Sequence, residues 1–329
     1  MLHIALLAIQ NAIPSSISGP QDIFSVSNLQ WQRMNPQHEL FCSVAIVESD
    51  SGKTTSFTGC PIASNATIHD DNKYDIIIIP AIYGDLHPAL TNKPLIEWLV
   101  RQHHWGACIC SVCAGAFLLA RAGLLDGKNA TTHWALASDF KKLFPKVILR
   151  AERMLIDEGD IISSGGITSY LDLCIHLVRR FGTVELATSI SRTFLIDTAR
   201  QAQLPYAVCS FYSQHGDVEI RTTQRWLEEH FAQSLTIRQL AGVAGLSEKT
   251  FTRRFKKATG DNPSDYLQRL RIEAARESLA KTREPVDCIT RSVGYEDATS
   301  FRRLFKQHTG LSPTAYRKRF SLLNDEIDT

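Results

Sequence analysis

The sequence predicts an α/β doubly wound sheet over residues 1–200 and an all-α domain with two helix-turn-helix units over residues 218–320. Three observations support this division. Strand-like runs alternate with helical segments in the first part, an internal repeat fills the second, and the net charge changes sign between them. A length of 329 residues suits two domains. Residues 201–217 are the predicted linker, and residues 321–329 form an acidic tail.

Continuous apolar runs rich in β-branched residues predict buried parallel strands in the first part. The predicted strands are residues 3–9, 40–47, 75–79 and 107–112. The predicted helices are residues 20–32, 88–103, 116–122, 167–181 and 183–196. Two short strands at 154–157 and 160–163, separated by Glu158 and Gly159, predict a hairpin added to the sheet.

The second part repeats itself after fifty residues. Residues 251–266 align with residues 301–316, and the match continues upstream one position out of step. Identical pairs include Phe251/Phe301, Arg253/Arg303, Phe255/Phe305, Gly260/Gly310, Pro263/Pro313 and Tyr266/Tyr316. Because so many large residues recur in register, one structural unit occurs twice.

Each copy has the pattern of a helix-turn-helix, in which a short helix precedes a glycine turn and a capped second helix. The short helices are predicted at residues 236–243 and 286–292. The predicted turns and caps are Gly245 and Ser247 in the first copy and Gly294 and Asp297 in the second. In each second helix the phenylalanines face inward and the basic residues outward. A long helix from Pro263 to about residue 280 separates the two units.

The charge distribution favours a polyanionic partner for the second part alone. Residues 218–320 hold 20 Lys and Arg against 12 Asp and Glu, whereas residues 1–217 have a net charge of −3. The resulting net charge of +8 suits nucleic acid, and a solvated basic face without a partner is the alternative.

Composition places the chain among globular proteins, because 44% of its residues are hydrophobic and 21% are charged. We find no signal-peptide pattern at the start and no apolar run that approaches a membrane span. The eight cysteines then predict reduced thiols in a cytoplasmic protein.

Residues 289–317, ITRSVGYEDATSFRRLFKQHTGLSPTAYR, resemble the AraC/XylS family of bacterial transcription regulators, and the resemblance extends over residues 218–320. It implies that one recognition helix from each unit enters the major groove of promoter DNA. The positions carried over to the base-facing sides are Lys249, Thr252 and Arg253 in the first unit and Thr299, Arg302 and Arg303 in the second. Lys256, Lys257 and Lys306 are expected to meet phosphates.

Residues 110–134, CSVCAGAFLLARAGLLDGKNATTHW, resemble the class I glutamine-amidotransferase-like superfamily, which includes the PfpI-type intracellular proteases. This resemblance spans about residues 1–200. A strand runs into a helix through Cys113, as at a nucleophile elbow, and the nearby helix N-terminus is expected to lower the thiol pKa. The resemblance places His133 where family enzymes reach that cysteine.

We predict that this domain is not an enzyme. PfpI-type members place an acidic side chain before the first helix, whereas residues 15–20 contain no carboxylate and Asp22 is the first. We therefore interpret the site as a ligand pocket. Its candidate residues are Cys113, Ala114, His133, Gly165 and Gly166. The alternatives are a cysteine hydrolase or amidase with a DNA-targeting tail, and a redox sensor that uses Cys113.

The overall prediction is a cytoplasmic, sequence-specific DNA-binding transcription regulator controlled by a small metabolite. The effector is expected to be an amine or an amino-acid-related compound, and the other partners are a second copy of the chain and, for an activator, RNA polymerase. No cofactor, metal or membrane is expected. Cys108, Cys110 and Cys113 have a C-x-C-x2-C spacing, but no further Cys or His cluster follows them to complete a zinc site.

Overall fold

The structure is a computed structural model that describes residues 1–49, 54–197, 200, 202–208 and 215–321. The chain divides into two compact units, Met1–Gln203 and Leu204–Thr329. Of the linker predicted at 201–217, residues 201 and 209–214 lie outside the described residues. The predicted acidic tail also lies outside them, apart from Ser321.

The first unit is built on a seven-stranded sheet with the order β3-β2-β1-β4-β5-β9-β8. Its strands are β1 Leu2–Ala8, β2 Cys42–Glu48, β3 Ala66–Thr67, β4 Ile76–Ile79, β5 Cys108–Val112, β8 Leu155–Asp157 and β9 Ile161–Ser164. A separate parallel pair contains β6 Asn129–Ala130 and β7 Ile148–Leu149. Every pairing in the large sheet is parallel except that of β8 with β9. The doubly wound α/β sheet and the added hairpin are confirmed.

The helices of the first unit differ from the predicted ones at three places. They are α1 Ser15–Met34, α2 His87–Thr91, α3 Lys93–His104, α4 Ala116–Arg121, α5 Ala137–Leu143, α6 Tyr170–Phe181 and α7 Val184–Thr193. The prediction placed Pro20 at the start of α1, but the Ser16 and Ser18 hydroxyls donate to earlier carbonyls and support an extra turn before it. The helix predicted at 88–103 is two helices, because Asn92 caps α3 by accepting from the Leu95 N–H. No predicted helix corresponds to α5.

The second unit contains helices only, within its described residues. They are α8 Val218–His230, α9 Ile237–Val243, α10 Glu248–Thr259, α11 Pro263–Lys281, α12 Val286–Ser292, α13 Ala298–Thr309 and α14 Pro313–Phe320. The predicted caps are present, since Ser247 accepts from the Thr250 N–H and Asp297 accepts from the Thr299 and Ser300 N–H groups. The two helix-turn-helix units and the long helix α11 are therefore confirmed.

Each helix-turn-helix has its own hydrophobic core. One core surrounds Phe251 and Phe255 and the other surrounds Phe301 and Phe305, all four of them fully buried. Phe231 packs against both cores and connects them. The inward orientation predicted for the phenylalanines is confirmed.

The second unit begins at Leu204, within the predicted linker. Leu204–Tyr206 form a 3-10 turn that contacts α13. The buried Arg276 guanidinium donates to the carbonyl oxygens of Leu204 and Ala207, and the ring of Tyr206 packs edge-on against Phe320. A fragment that keeps these contacts must start at residue 204.

The two turn glycines are in the left-handed region, Gly245 at φ +64° and Gly294 at φ +86°. A Cβ at Gly245 would meet no atom within 4 Å, whereas a Cβ at Gly294 would lie 2.5 Å from the Ala232 carbonyl oxygen. Both glycines relieve backbone strain, and Gly294 also permits a close approach of two backbone segments.

We predict that Gly294→Ala destabilises the helical unit more than Gly245→Ala. Each substitution costs about 1–2 kcal/mol for the left-handed conformation, and only the first adds a backbone clash. Scanning calorimetry of the full chain should show the larger fall in melting temperature for G294A. Equal shifts for the two variants would contradict the close approach at Ala232.

Candidate functional site

The candidate pocket lies at the carboxyl edge of the parallel sheet. Cys113 follows β5 and Gly165 follows β9, and these strands are parallel neighbours with Val112 paired to Ser164. Their ends therefore bring Cys113, Ala114, Gly165 and Gly166 to one edge, where open α/β sheets bind ligands. The Thr132 hydroxyl donates to the Cys113 carbonyl oxygen over 2.8 Å, which brings the chain before His133 to the same edge.

The turn after β5 has the strained geometry of a nucleophile elbow. Cys113 is a non-glycine residue at φ +56°, and it opens a short 3-10 turn that leads into α4. The turn passes close to the end of β4, because a Cβ at Gly115 would lie 2.9 Å from the Pro80 carbonyl oxygen. Glycine at this position lets the elbow form.

The Cys113 thiol is not activated. It is 5% exposed, and burial raises its pKa to about 11, while the Ala114 N–H offsets only part of this effect. The expectation that the helix N-terminus lowers this pKa is therefore wrong, because loss of solvation outweighs the single amide hydrogen bond. At neutral pH the group is a thiol, which is a weak nucleophile.

The His133 ring is hydrogen-bonded to the turn that follows it. Its Nδ1 accepts from the Ala135 N–H over 3.1 Å, which leaves the proton of the neutral ring on Nε2. Burial lowers the pKa of His133, so the ring is neutral at pH 7. Among the described residues, no hydrogen bond joins the Cys113 thiol to the His133 ring.

Gln203 contacts the candidate pocket, although it falls in the predicted linker and is not among the predicted pocket residues. Its side chain is buried and its amide nitrogen donates to the Thr131 hydroxyl and to the carbonyl oxygen of Thr132. The Gln203 Oε1 accepts from the Trp134 N–H over 3.2 Å. A Cβ at Gly165 would overlap this amide, so the predicted pocket glycine is covered by Gln203.

A separate cavity of about 720 Å³ lies beside α6 and α7. Asp172, His176, Leu195 and Arg200 are among the residues that line it, and none of the five predicted pocket residues does. An ion pair of 2.6 Å between Arg200 and Asp172 lies at its wall.

The residues expected to bind DNA lie on α10 and α13. Of the nine predicted side chains, eight are exposed and one, that of Thr252, is half-buried. Exposed members of the predicted set are Lys249, Arg253, Lys256, Lys257, Thr299, Arg302, Arg303 and Lys306. Arg302 forms an exposed ion pair of 2.9 Å with Asp287, which is a weak interaction in water.

In the described part of the chain, no group of three or more His, Cys, Asp or Glu side chains is arranged to hold a metal ion. The Cys108 and Cys110 sulfurs are 4.0 Å apart, and Cys108 also donates to the Gly159 carbonyl oxygen. No helix among the described residues combines the length and the apolar character needed to cross a membrane.

Comparison with known proteins matches residues 29–180 to the DJ-1/PfpI family and residues 240–319 to a helix-turn-helix domain. The HTH-type transcriptional regulator CdhR of Pseudomonas aeruginosa is 27% identical over 274 residues, which cover 83% of this chain and 80% of that protein. Isonitrile hydratase of Pseudomonas putida is 27% identical over 208 residues, which cover 63% of this chain and 79% of that protein. A crystal structure of a THiJ/PfpI family protein from Pseudomonas syringae shares the fold, with a TM-score of 0.52 and 20% identity. The match covers 74% of this chain and 91% of that one.

We predict that Cys113 reacts slowly with iodoacetamide at pH 7.5 and that its rate rises roughly tenfold per pH unit up to about pH 11. The reason is that only the thiolate reacts and burial disfavours it. Peptide mass spectrometry measures the labelling, with exposed Cys60 as the internal control and Cys113→Ser to assign the adduct. Labelling of Cys113 as fast as Cys60 at pH 7.5 would contradict a buried, protonated thiol.

Proposed function

Since this chain is a DNA-binding transcriptional regulator that joins a DJ-1/PfpI domain to an AraC-type helix-turn-helix domain, we propose that an effector bound by the first domain controls DNA binding by the second. The DNA-binding part of this proposal rests on the structural repeat of the second unit. The two capped helices α10 and α13 each pack on a separate phenylalanine core. Each exposes an arginine at the matching position, Arg253 in α10 and Arg303 in α13.

In this proposal α10 and α13 enter successive major-groove segments of a promoter. Arg253 and Arg303 read bases, because the guanidinium fork matches the O6 and N7 atoms of guanine. Lys249, Thr252, Thr299 and Arg302 contribute to the same base-facing sides. Lys256, Lys257 and Lys306 neutralise phosphates and set affinity without choosing sequence. The net charge of +8 over residues 218–320 supports a strong dependence on salt.

The first domain is proposed to bind a small molecule and to catalyse nothing. Its support is the buried, protonated Cys113 thiol and the neutral His133 that shares no hydrogen bond with it among the described residues. A cysteine hydrolase is the second candidate, and the 27% identity to isonitrile hydratase is the observation that favours it. A redox sensor at Cys113 is a weaker candidate, because oxidation also begins from the thiolate.

We further propose that two copies of the chain pair through α6 and α7, in the cytoplasm, with RNA polymerase as a further partner if the protein activates. Val184 is 57% exposed and Leu195 is 91% exposed, beside the cavity between these helices. Large apolar side chains at this exposure mark an interaction surface when they lie close together. A dimer would place four recognition helices on repeated half-sites and raise avidity.

For DNA reading, we predict that Arg253→Ala or Arg303→Ala weakens binding to a selected DNA site by about 1–3 kcal/mol and relaxes the preference at one base pair. Titration of the full chain against a duplex selected from a random library measures both effects. The matched control is Arg254→Ala, because Arg254 pairs with Asp217 and Glu219 inside the unit. If R253A and R303A keep the wild-type affinity and base preference, α10 and α13 are not the readers.

For assembly, we predict that the full chain is a dimer and that residues 204–329 are a monomer, because the proposed pairing surface belongs to the first unit. Leu195→Glu should separate the full-length dimer by placing a charge in the apolar contact. Sedimentation velocity measures the mass of the full chain, of residues 204–329 and of the Leu195→Glu variant. Val208→Glu, at an exposed residue outside that surface, is the control. A monomeric full chain would refute the proposal.

A further inference from the structure

The side chain of Gln203 occupies a closed polar site in the first unit. It is 2% exposed, and its amide nitrogen lies within hydrogen-bond distance of four oxygen atoms. These are the Thr131 hydroxyl at 3.1 Å and the carbonyl oxygens of Thr132 at 2.8 Å, Ala151 at 3.0 Å and Arg153 at 3.0 Å. We call these four atoms the oxygen cage.

The oxygen cage offers more acceptors than Gln203 can use. A side-chain amide nitrogen carries two hydrogens, whereas a primary ammonium carries three and a positive charge. The Thr131 hydroxyl donates its own proton to the Arg153 carbonyl oxygen, so it faces the Gln203 nitrogen as an acceptor. Three carbonyl dipoles and one lone pair therefore point at one place, and a charge-assisted hydrogen bond is stronger than a neutral one. The cage suits an ammonium better than the amide that fills it.

The surroundings are shaped for a small head group. Gly165 leaves room for the amide, because a Cβ there would overlap it. The Trp134 N–H is a donor on the opposite side, where it meets the amide oxygen. The oxygen cage also adjoins the candidate pocket, since Thr132 contributes one cage oxygen and donates its hydroxyl to the Cys113 carbonyl.

Gln203 is also the last residue of the first unit, and Leu204 is the first residue of the second. Its backbone N–H donates to the Glu152 carbonyl oxygen over 2.9 Å, and Ala202 bridges to Arg153. Together with the caged side chain and the ion pair of Arg200 with Asp172, these contacts hold the described residues before the junction to the first unit.

We infer that the oxygen cage is the effector site, that it takes small molecules with a primary ammonium and an adjacent oxygen acceptor, and that Gln203 occupies it when no effector is bound. The effector and Gln203 compete for the same oxygens, so binding of the effector releases the chain at the junction of the two units. This inference rests on the proposed function, in which the first domain holds an effector.

The first test fills an emptied cage in the full chain. In Gln203→Ala, methylammonium chloride at high concentration should raise the melting temperature of the first unit by roughly 2–4 °C, because it binds the folded state only. Acetamide should raise it less, and tetramethylammonium, which has no N–H, should not raise it. The matched control is Gln102→Ala, which removes another buried glutamine whose nitrogen donates to the Asn72 carbonyl oxygen.

The result that overturns the cage is an equal response of Q203A to all three compounds, or the same methylammonium response in Q102A. If Q203A does not fold, Gln203→Ser serves in the same test.

A second variant pair checks the geometry: Gly165→Ala should lower the melting temperature in the wild-type chain and have little further effect in Q203A. Equal effects in both backgrounds would show that Gln203 does not face Gly165.

The second test separates release of the junction from loss of stability. The affinity of Q203A for a duplex selected by the wild-type chain should differ at least threefold from that of the wild-type chain. Methylammonium should restore the melting temperature of Q203A without restoring this affinity, because it fills the oxygen cage but is not linked to the chain. Recovery of both would show that Gln203 acts only through folding. A wild-type chain that selects no DNA sequence would refute the proposed function, while the melting experiment would still decide the cage.

Discussion

The parallel pairing of β5 with β4 and β9 positions Cys113, Ala114, Gly165 and Gly166 at one edge of the sheet. Because these strands run in the same direction, their carboxyl ends meet at one edge, and the chain leaves β5 through Cys113 at φ +56°. That turn fits only because Gly115 lets it pass the Pro80 carbonyl. The sheet therefore determines where a ligand can bind, and the small residues at its edge determine how closely the backbone approaches it.

Much of this could be predicted from local pattern. Buried parallel strands are continuous apolar runs, and the repeated phenylalanines, glycines and caps define the helix-turn-helix units. The errors in the helices occurred where the local sequence pattern is weak or misleading. The Ser16 and Ser18 hydroxyls extend α1 before Pro20, and α5 is a seven-residue helix with Phe140 as its one buried residue, so its periodicity is weak.

Only part of the candidate site could be predicted from the sequence. Cys113 and its small neighbours form a recognisable elbow, but the burial that raises the thiol pKa arises only in the folded domain. Gln203 was not visible at all, because its hydrogen-bond partners lie 50 to 72 residues away along the chain. A polar residue in an apparent linker carries no local sign that a folded domain surrounds it.

The separate cores of the two helix-turn-helix units have a consequence for how this protein can evolve. At matching positions the core phenylalanines are identical, Phe251 with Phe301 and Phe255 with Phe305. Among the outward positions Arg253 and Arg303 are also identical, whereas Thr252 corresponds to Arg302. Since neither core includes the outward side chains, mutations there leave the folding of both units intact. The outward residues of one helix-turn-helix unit can therefore change to recognise a new DNA sequence while the other unit keeps its specificity. New operators can be acquired one unit at a time.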